Sequence, residues 1–547
     1  MSSNIIGDSD VFAKWIGLQT VASKLAFTQQ IEQWKYDKQQ LVNLSEKCKR
    51  FKAIYEKDPT FFKKCHDIFH EIASIEEKLT ALVQTESELE RESYSELLFF
   101  KPFMQPLNFI PYVLSIWSAF RVYILPGLSL LIPILTLIAP YLIITFVFRI
   151  PMTFTNYVTI LHTMMSGNFD KMMDPNVQND LIENQFLSLN LSSIMKQLGL
   201  VIITVLQGVI QPYWAHIHLK SIDTIIHDQG RLVLRFKELY SSLSELLLSR
   251  GFTTFRCPLP EMDGERDATA RIILESTYFK LAMKYIGLLE VILCITHHPD
   301  IYPVRWVSSD TPVFRIRDTF DFNIADTSNT SNTSNTSNTS NTSNTSNTSN
   351  TSNTSNTSNR KKINVDLTVN RHALLTGPNK GGKSTVLRSL SISALLAHTY
   401  GCAIGHLTST PFKDMYVCLK PDDLPGVKSR FEREIEFTAS TLRCKQPILV
   451  FIDELYHSTN PPDALRSCEI YCAQLWKKSN AISVISTHLF EFVDHADEKI
   501  QRLCCPAVID DNGEIQFLYL LEKGICKVSS VDMLLKSNGL ISTSQCV

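Results

Sequence analysis

The spacing of apolar residues in the first hundred positions predicts long amphipathic helices. Asp58-Pro59 is typical of a helix start, because proline fits the first turn of a helix. After it, apolar residues recur at alternating spacings of four and three, at Phe61, Cys65, Ile68, Ile72, Ile75, Leu79 and Leu82. This heptad pattern can pair with another long helix of the same chain or of a second copy, and packing within one helical domain is the simpler interpretation.

The next region is almost free of charge. No charged residue lies between Lys101 and Arg121 or between Arg121 and Arg149. The second run is long enough to cross the hydrocarbon core of a bilayer, which takes about 20 apolar residues. This composition favours a membrane anchor through residues 106–148, and a buried helical core of a soluble protein is the alternative.

Pro126-Gly127 lies within this apolar region and predicts a turn. The arms of the resulting helical hairpin would be Leu107 to Leu125 and Leu128 to Phe148. Prolines at 126, 133 and 140 disfavour an ordinary soluble helix, whereas membrane helices tolerate proline better. A further uncharged stretch, Gln197 to Ala215, is shorter and leaves both interpretations open.

Helical patterns continue towards the middle of the chain. His216 to Arg250 has the period of an amphipathic helix, and Gly251 follows it as a terminating residue. Ala268 to Thr296 predicts another helix. Thr-Ser-Asn triplets then fill 327–359, and such a polar tract buries too little surface to fold, which predicts a disordered insertion.

Candidate chemistry begins at a glycine-rich loop. The segment TGPNKGGKST (376–385) fits the pattern G-x-x-x-x-G-K-[ST], with a strand candidate at Ala373 to Leu375 before it and a helical pattern after it. Its backbone N–H groups and the helix N-terminus can hold phosphates, Lys383 can reach the outer phosphates, and Ser384 can ligate Mg²⁺. The predicted ATP site comprises Gly377, Pro378, Asn379, Lys380, Gly381, Gly382, Lys383, Ser384 and Thr385.

Two more segments supply the residues that phosphoryl transfer requires. PILVFIDELYHSTN is an apolar strand candidate that ends in Asp453 and Glu454. The first carboxylate can hold Mg²⁺ through water, and the second can orient or deprotonate the attacking water. AISVISTHLFEF predicts another buried strand, ending at Thr487-His488, and His488 could hydrogen-bond the γ-phosphate. A lone histidine at a strand end is usually structural, but beside this carboxylate pair a functional role is favoured.

Composition limits the choice of partners and compartment. Lys and Arg total 53 against 55 Asp and Glu, so a DNA contact would need a local basic face rather than net charge. The 13 cysteines have no regular spacing, which predicts reduced thiols rather than a disulfide framework or a zinc site. We therefore expect the nucleotide site to face cytosol or nucleoplasm.

Four segments resemble, in order, the motifs of the MutS family of ABC-type ATPases. TGPNKGGKST resembles the Walker A segment, DDLPGVKSRFEREI the signature loop, IDELYHSTNPPDAL the Walker B and D-loop segment, and QFLYLLEKGICKVSSVDMLLKSNGL the C-terminal strand and helices. The resemblance covers about 363–540. Phe431 and Glu434 match the signature pattern, whereas Lys380, the displaced glycine at Gly426, and His457-Ser458 in place of the commoner Arg-Gly depart from the usual motifs.

The resemblance implies an ATPase domain that dimerises head to tail around two ATP molecules with Mg²⁺, as a homodimer or with a related MutS-like subunit. It implies that Ser429 reaches the ATP held by the other subunit. Ser384 and Asp453 would hold Mg²⁺, Glu454 would be the general base, and His488 would sense the γ-phosphate. DNA is the implied partner, and ATP-driven clamping on DNA in mismatch repair or recombination is the implied function.

The resemblance does not extend to a mismatch-reading domain. Phe69-His70-Glu71 has the letters of the family's Phe-x-Glu wedge but lies within the heptad helix, so chance is the better explanation. The chain therefore resembles a shortened form that lacks the mismatch-recognition domain. One alternative is a membrane-tethered MutS-like ATPase that acts as a mechanical switch without DNA. A nucleotide-binding scaffold without hydrolysis is disfavoured by the intact Lys, Asp, Glu and His.

The predicted fold class is an α/β C-terminal P-loop (ABC-type) ATPase domain preceded by a mostly α-helical region with an apolar hairpin. The predicted domains are a helical N-terminal region at 1–100, the apolar hairpin at 101–150, a helical core- or lever-like region at 151–325, the Thr-Ser-Asn insert at 326–360, and the ATPase domain at 361–547.

Overall fold

The computed structural model describes residues 9–84, 88–149, 151–165, 206–323, 361–419, 429–509 and 515–529, together with 531 and 535. The predictions for the Thr-Ser-Asn insert, for Gly426 and for the first nine residues of Gln197 to Ala215 lie outside the described residues. The chain divides into two compact units: unit 1 comprises 1–73, 249–251 and 283–547, and unit 2 comprises 74–248 and 252–282. The predicted domain boundaries stay predictions.

The described helices are α1 (Ser9–Ile16), α2 (Val21–Ile31), α3 (Lys38–Lys57), α4 (Pro59–Gln84), α5 (Glu88–Ser95), α6 (Val113–Ala119), α7 (Leu125–Leu142), α8 (Phe154–Met165), α9 (Gln211–Leu248), α10 (Glu265–Leu274), α11 (Ser276–His297), α12 (Lys383–Tyr400), α13 (Arg430–Arg443), α14 (Pro461–Lys477) and α15 (Phe490–Asp494). Gln105–Phe109 is a 3₁₀ turn, and Phe120–Ile124, Ile143–Val147 and Leu206–Ile210 are π-helical.

The described strands are β1 (Ile301–Pro303), β2 (Arg305–Trp306), β3 (Phe314–Thr319), β4 (Ile363–Asp366), β5 (His372–Thr376), β6 (Cys402–Ile404), β7 (His406–Ser409), β8 (Asp414–Cys418), β9 (Ile448–Ile452), β10 (Ala481–Ser486), β11 (Gln501–Cys504), β12 (Ala507–Ile509), β13 (Ile515–Phe517) and β14 (Glu522–Lys523).

Unit 1 contains a six-stranded sheet with the order β14-β11-β5-β10-β9-β8. All neighbouring strands are parallel except β14, which pairs antiparallel with β11 at one edge. The strands β5, β9 and β10 are buried along their whole length, as expected for parallel strands covered on both faces. The three strands predicted from apolar runs are therefore confirmed. Because parallel strands end at the same edge, the segments that follow β5, β9 and β10 meet there.

Helix α12 begins directly after the glycine-rich loop and is buried along most of its length. This confirms the helical pattern predicted after the loop. It ends at Gly401, whose φ of 75° is left-handed, and a Cβ there would lie 2.6 Å from the backbone nitrogen of Ser45. The hydrophobic core around α12 also includes Phe12, Phe27 and Cys48 from the N-terminal helices.

Helix α4 confirms the helix predicted after Pro59. The side chains of Phe61, Cys65, Phe69, Ile72, Leu79 and Leu82 are buried. The heptad pattern predicted that Ile68 and Ile75 would also be buried, but both are half-buried. The buried face of the helix instead includes Phe69, between Cys65 and Ile72. Phe69 is 1% exposed, so its side chain is packed inside the protein and is not accessible for stacking on a base.

In unit 2, the predicted turn at Pro126-Gly127 is wrong, because the chain stays helical from Val113 to Val147 through α6, a π-helical turn, α7 and a second π-helical turn. Pro126 has no backbone N–H, so it cannot donate the hydrogen bond that the Val122 carbonyl would accept in an α-helix. The Nδ1–H of His216 donates to this carbonyl instead, at 2.7 Å. The carbonyl that proline leaves without a backbone donor is thereby satisfied.

This long helix has two different environments. Near its start, Leu114, Ser118 and Val122 are buried, and the Ser118 hydroxyl donates to the Asp223 carboxylate at 2.7 Å. From Tyr123 onwards, most described apolar side chains are exposed. These are Tyr123, Ile124, Leu128, Leu130, Leu131, Leu135, Leu142, Ile143, Phe146, Val147 and Phe148. Within the described residues, one helical segment, Val113–Leu131, is long and apolar enough to cross a membrane, judged by length and composition.

Of the two helices predicted between His216 and Thr296, one is confirmed and one is wrong. Helix α9 confirms the helix predicted over His216 to Arg250, and Gly251 follows it with a φ of 82°. The single helix predicted over Ala268 to Thr296 is wrong. Glu275, with φ −119° and ψ 41°, leaves the helical region and separates α10 from α11, and no glycine or proline marks this break.

Candidate active site

The glycine-rich loop after β5 has a backbone that only small residues permit. Gly377 has a φ of 143°, and a Cβ there would lie 2.7 Å from the carbonyl oxygen of Cys505. A Cβ on Gly381 would lie 2.9 Å from the carbonyl oxygen of Pro378. These two glycines let the loop fold closely on itself and on the segment after β11.

Lys383 is the first residue of α12 and is 5% exposed. Its ammonium group donates to the carbonyl oxygens of Gly377 at 2.9 Å and Pro378 at 3.1 Å. Burial lowers the pKa of Lys383, and the carboxylates of Glu454 and Asp453 act in the opposite direction. The lysine is thus a cation held over the loop and facing both acids.

The other predicted loop residues differ in exposure. Pro378 and Gly381 are buried, Gly382 and Thr385 are half-buried, and Asn379, Lys380 and Ser384 are exposed. Lys380 has a left-handed φ of 65°. The exposed face of the loop therefore carries a cation and an amide, while its buried face fixes the backbone.

Asp453 follows β9 and joins the loop to the next strand. Its Oδ2 accepts a hydrogen bond from the Ser384 hydroxyl at 2.5 Å. Its Oδ1 accepts a short hydrogen bond from the Ser486 hydroxyl at the end of β10. The carboxylate is 9% exposed, so two hydroxyls from two elements hold it at the mouth of the loop.

Glu454 follows Asp453 and has a left-handed backbone, with a φ of 53°. Its N–H donates to the Ser486 hydroxyl at 2.8 Å. Its carboxylate lies 3.3 Å from Nε2 of His488 and 3.8 Å from Nε2 of His457. The hydrogen bond from His488 is the largest of the effects that lower the pKa of Glu454, whereas burial raises it. The side chain is therefore an anionic carboxylate near Lys383.

Ser429 lies at the start of α13, outside the cluster formed by Lys383, Asp453, Glu454 and His488. It is the N-cap of that helix, and with Glu432 it forms a capping box in which each residue bonds the other's backbone N–H, at 3.2 and 2.8 Å. Its hydroxyl accepts in this contact, so the hydroxyl hydrogen remains able to donate to another group. The serine is exposed.

The residues present fit a nucleoside triphosphate with Mg²⁺. The closely folded glycine-rich loop, the buried Lys383 ammonium and the paired oxygens of Ser384 and Asp453 suit phosphate and a hard cation. Within the described part of the chain, no group of three or more His, Cys, Asp or Glu could hold a metal. A Mg²⁺ ion would therefore take further ligands from nucleotide phosphates and water.

Sequence reasoning missed two residues that organise this site. Ser486 bonds Asp453 and Glu454 together, and the only signal was a small polar residue ending an apolar strand. Tyr456 is 3% exposed and has a left-handed φ of 57°. Its sequence context gave no sign of this, because a bulky residue is rarely found in that conformation.

Comparison with known families agrees with the motifs. Residues 373–535 match the family model described as MutS domain V. This range contains β5, the glycine-rich loop, β9 with its two acids, and β10 with His488. MutS domain V is the ATPase domain of its family. The C-terminal portion of this chain is therefore similar to the ATPase domain of the MutS family.

Proposed function

We propose that this protein hydrolyses ATP to ADP and phosphate. The observation that carries the proposal is the meeting of Lys383, Asp453, Glu454 and His488 at one edge of the sheet. The glycine-rich loop binds the phosphates, and Lys383 contributes positive charge to them. Ser384 and Asp453 would hold Mg²⁺, which when bound neutralises charge on the phosphates.

Glu454 is the general base of this reaction. Its carboxylate accepts a proton from the attacking water while the water oxygen bonds to the γ-phosphorus and the bond to the ADP oxygen breaks. The lowered pKa of Glu454 keeps the carboxylate ionised at neutral pH. His488 holds the carboxylate through Nε2, and the same nitrogen can donate to the γ-phosphate when the carboxylate turns towards water.

Two copies of the chain share their ATP sites in this proposal. Ser429 is exposed at the N-terminus of a 14-residue helix, where a hydroxyl and a helix dipole suit an anion. Within its own chain it does not join the cluster around Lys383. Each Ser429 would therefore complete the site of the other subunit.

The biological output that best fits a MutS-type ATPase domain is ATP-driven clamping on DNA in mismatch repair or recombination. Binding of labelled duplex DNA should then depend on nucleotide and should weaken steeply as salt rises, because phosphate contacts release counterions. Duplexes with and without a mismatch distinguish repair from general DNA binding. Absence of any nucleotide-dependent DNA binding at low salt would contradict this output while leaving the ATPase proposal intact.

A second candidate function is a membrane-tethered ATPase that works as a mechanical switch without DNA. The observation that favours it is the exposed apolar surface of the helix from Tyr123 to Phe148, because soluble proteins rarely expose a contiguous apolar surface of this length. Membranes from expressing cells should retain the protein through washes with high salt and with alkali, since both washes strip surface contacts but not inserted helices. Release by either wash would contradict insertion.

A further inference from the structure

The loop that carries Glu454 is fastened to helix α13 by Tyr456. The Tyr456 hydroxyl lies 2.6 Å from Oγ1 of Thr438. The Thr438 hydroxyl donates its own hydrogen to the carbonyl oxygen of Glu434 at 2.9 Å, so Tyr456 must be the donor. The ring of Tyr456 also packs edge-on against Phe431, with ring centroids 5.8 Å apart.

The backbone of this loop is strained at the same residue. Tyr456 and Glu454 have φ values of 57° and 53°, a region that favours glycine and is unusual for a bulky side chain. Such a conformation persists only where the surroundings fix it, and it is concentrated at functional sites. The contacts of Tyr456 with α13 are what fix it here.

A charge interaction between loop and helix lies beside this contact. Glu434 of α13 is 7% exposed. Burial raises its pKa, while the charges of Arg430 and His457 act in the opposite direction. His457 also lies 3.8 Å from the Glu454 carboxylate. The loop therefore interacts with α13 through Tyr456 and through the charge of the next residue, His457.

We propose that Tyr456 is a positioning residue that ties Glu454 to helix α13, and thereby ties hydrolysis at this site to the position of Ser429. Ser429 is the N-cap of α13, the helix to which the Tyr456 hydroxyl is hydrogen-bonded. When Ser429 engages the ATP of the other subunit, a shift of α13 moves the loop and changes the fit of Glu454 to its water. This inference rests on the proposed shared ATP sites.

The test compares two tyrosines that make the same bond to the same helix. Tyr456→Phe keeps the ring and removes the hydroxyl. The matched control is Tyr471→Phe, because the Tyr471 hydroxyl lies 2.8 Å from that of Thr441, three residues further along α13, and is not in the catalytic loop. The Thr441 hydroxyl donates to the Thr438 carbonyl, so Tyr471 is the donor here too. Both side chains are 3% exposed, so both variants should lose a similar amount of thermal stability.

The two variants should differ in turnover. Tyr456→Phe should lower kcat about tenfold, the change in rate that one buried hydrogen bond can support, and should lower the Hill coefficient for ATP. Its affinity for a non-hydrolysable ATP analogue should stay unchanged, because the glycine-rich loop is untouched. Tyr471→Phe should keep kcat and the Hill coefficient. Equal kcat in Tyr456→Phe and wild type, or equal losses in both variants, would overturn the inference.

A double-substitution cycle separates positioning from general destabilisation. Thr438→Val leaves the Tyr456 hydroxyl buried without its acceptor, so it should lower kcat as much as Tyr456→Phe and stability more. Combining the two should cause no further loss of kcat, since both remove one interaction. Additive losses of kcat would overturn the inference. Wild-type hydrolysis is measured in the same assay. An inactive wild type would overturn the ATPase proposal together with this inference, whereas an active wild type with additive losses would overturn this inference alone.

Discussion

Glu454 and His488 are in direct contact, with the carboxylate Oε1 3.3 Å from the imidazole Nε2. They follow β9 and β10, which are neighbouring parallel strands. A carboxylate can only accept, so Nε2 carries the hydrogen of this bond. The sheet thus presents an ionised base already oriented by a histidine, which is the arrangement that general-base catalysis uses.

Removing this histidine should slow turnover more than it weakens ATP binding. His488→Ala leaves Glu454 without the hydrogen bond that orients it, and we expect kcat to fall on the order of 10–100-fold. Steady-state kinetics and analogue binding measure the two effects separately. His495→Ala is the matched control, because this exposed histidine bonds the Glu491 carbonyl in α15 and should leave kcat unchanged. A selective loss of binding in His488→Ala would contradict the assigned role.

Shared sites predict that two inactive variants restore each other. Ser429→Arg should keep ATP binding and lose nucleotide-driven dimer closure and hydrolysis. Lys383→Ala should lose a phosphate contact and weaken ATP binding. In a mixed dimer, one intact Lys383 faces one intact Ser429, so mixing should restore activity at one site. The measurement is an ATPase titration of one variant against the other at fixed total protein. Activity no greater than the sum of the two, with mixed dimers formed, would rule out shared sites.

Charges placed on the exposed apolar helix should release the protein from membranes if that helix inserts. Leu135→Asp with Ile144→Asp should oppose insertion by about 2.5–3.5 kcal/mol per charge near a bilayer centre. Fractionation after alkaline washing measures the shift to the soluble fraction. The matched control is Val369→Asp with Val508→Asp, which adds the same charges at exposed apolar positions elsewhere. Unchanged pelleting of the helix variant would exclude the anchor.

Acid should destabilise unit 1 through a buried histidine. His398 is 1% exposed and its Nδ1–H donates to the Lys35 carbonyl at 2.7 Å. Burial lowers the pKa of His398 from 6.5 to about 4. The unfolded chain then binds a proton between these values that the folded chain does not, so stability falls as pH drops from 6.5 to 4, by up to about 3 kcal/mol.

The apparent melting temperature across this pH range tests the effect. His398→Asn keeps a donor for the Lys35 carbonyl and cannot titrate. It should be less stable at pH 7, because it leaves a cavity beside the stacked ring of Trp34, and it should show a smaller fall on acidification. An identical pH dependence in variant and wild type would show that other groups cause the fall.

The sequence predicted β5, β9, β10 and α12 because each has a local signal. A buried parallel strand reads as an apolar run, and a phosphate loop needs glycines at fixed positions, as the close contact of Gly377 with Cys505 explains. Helix α4 was equally predictable, because its period is strong over its 26 residues.

The errors come from interactions between residues far apart in the sequence. Pro126 suggested a turn, but the His216 side chain bonds the carbonyl that proline leaves without a donor. The role of Tyr456 depends on Thr438 and Phe431 in another helix, and that of Ser486 on the acids after β9. None of these partners can be read from a local pattern.

Phosphate release from ATP by wild type and Glu454→Gln tests the central claim most directly. Both proteins are compared with and without Mg²⁺ at saturating ATP, with analogue binding measured in parallel. Glu491→Gln, an exposed glutamate of α15, serves as the matched control. The account predicts Mg²⁺-dependent release by wild type and by the control, and a rate lower by about 10²-fold or more in Glu454→Gln with nucleotide binding retained. Hydrolysis by Glu454→Gln at the wild-type rate, or a wild type that binds ATP and releases no phosphate, would contradict it.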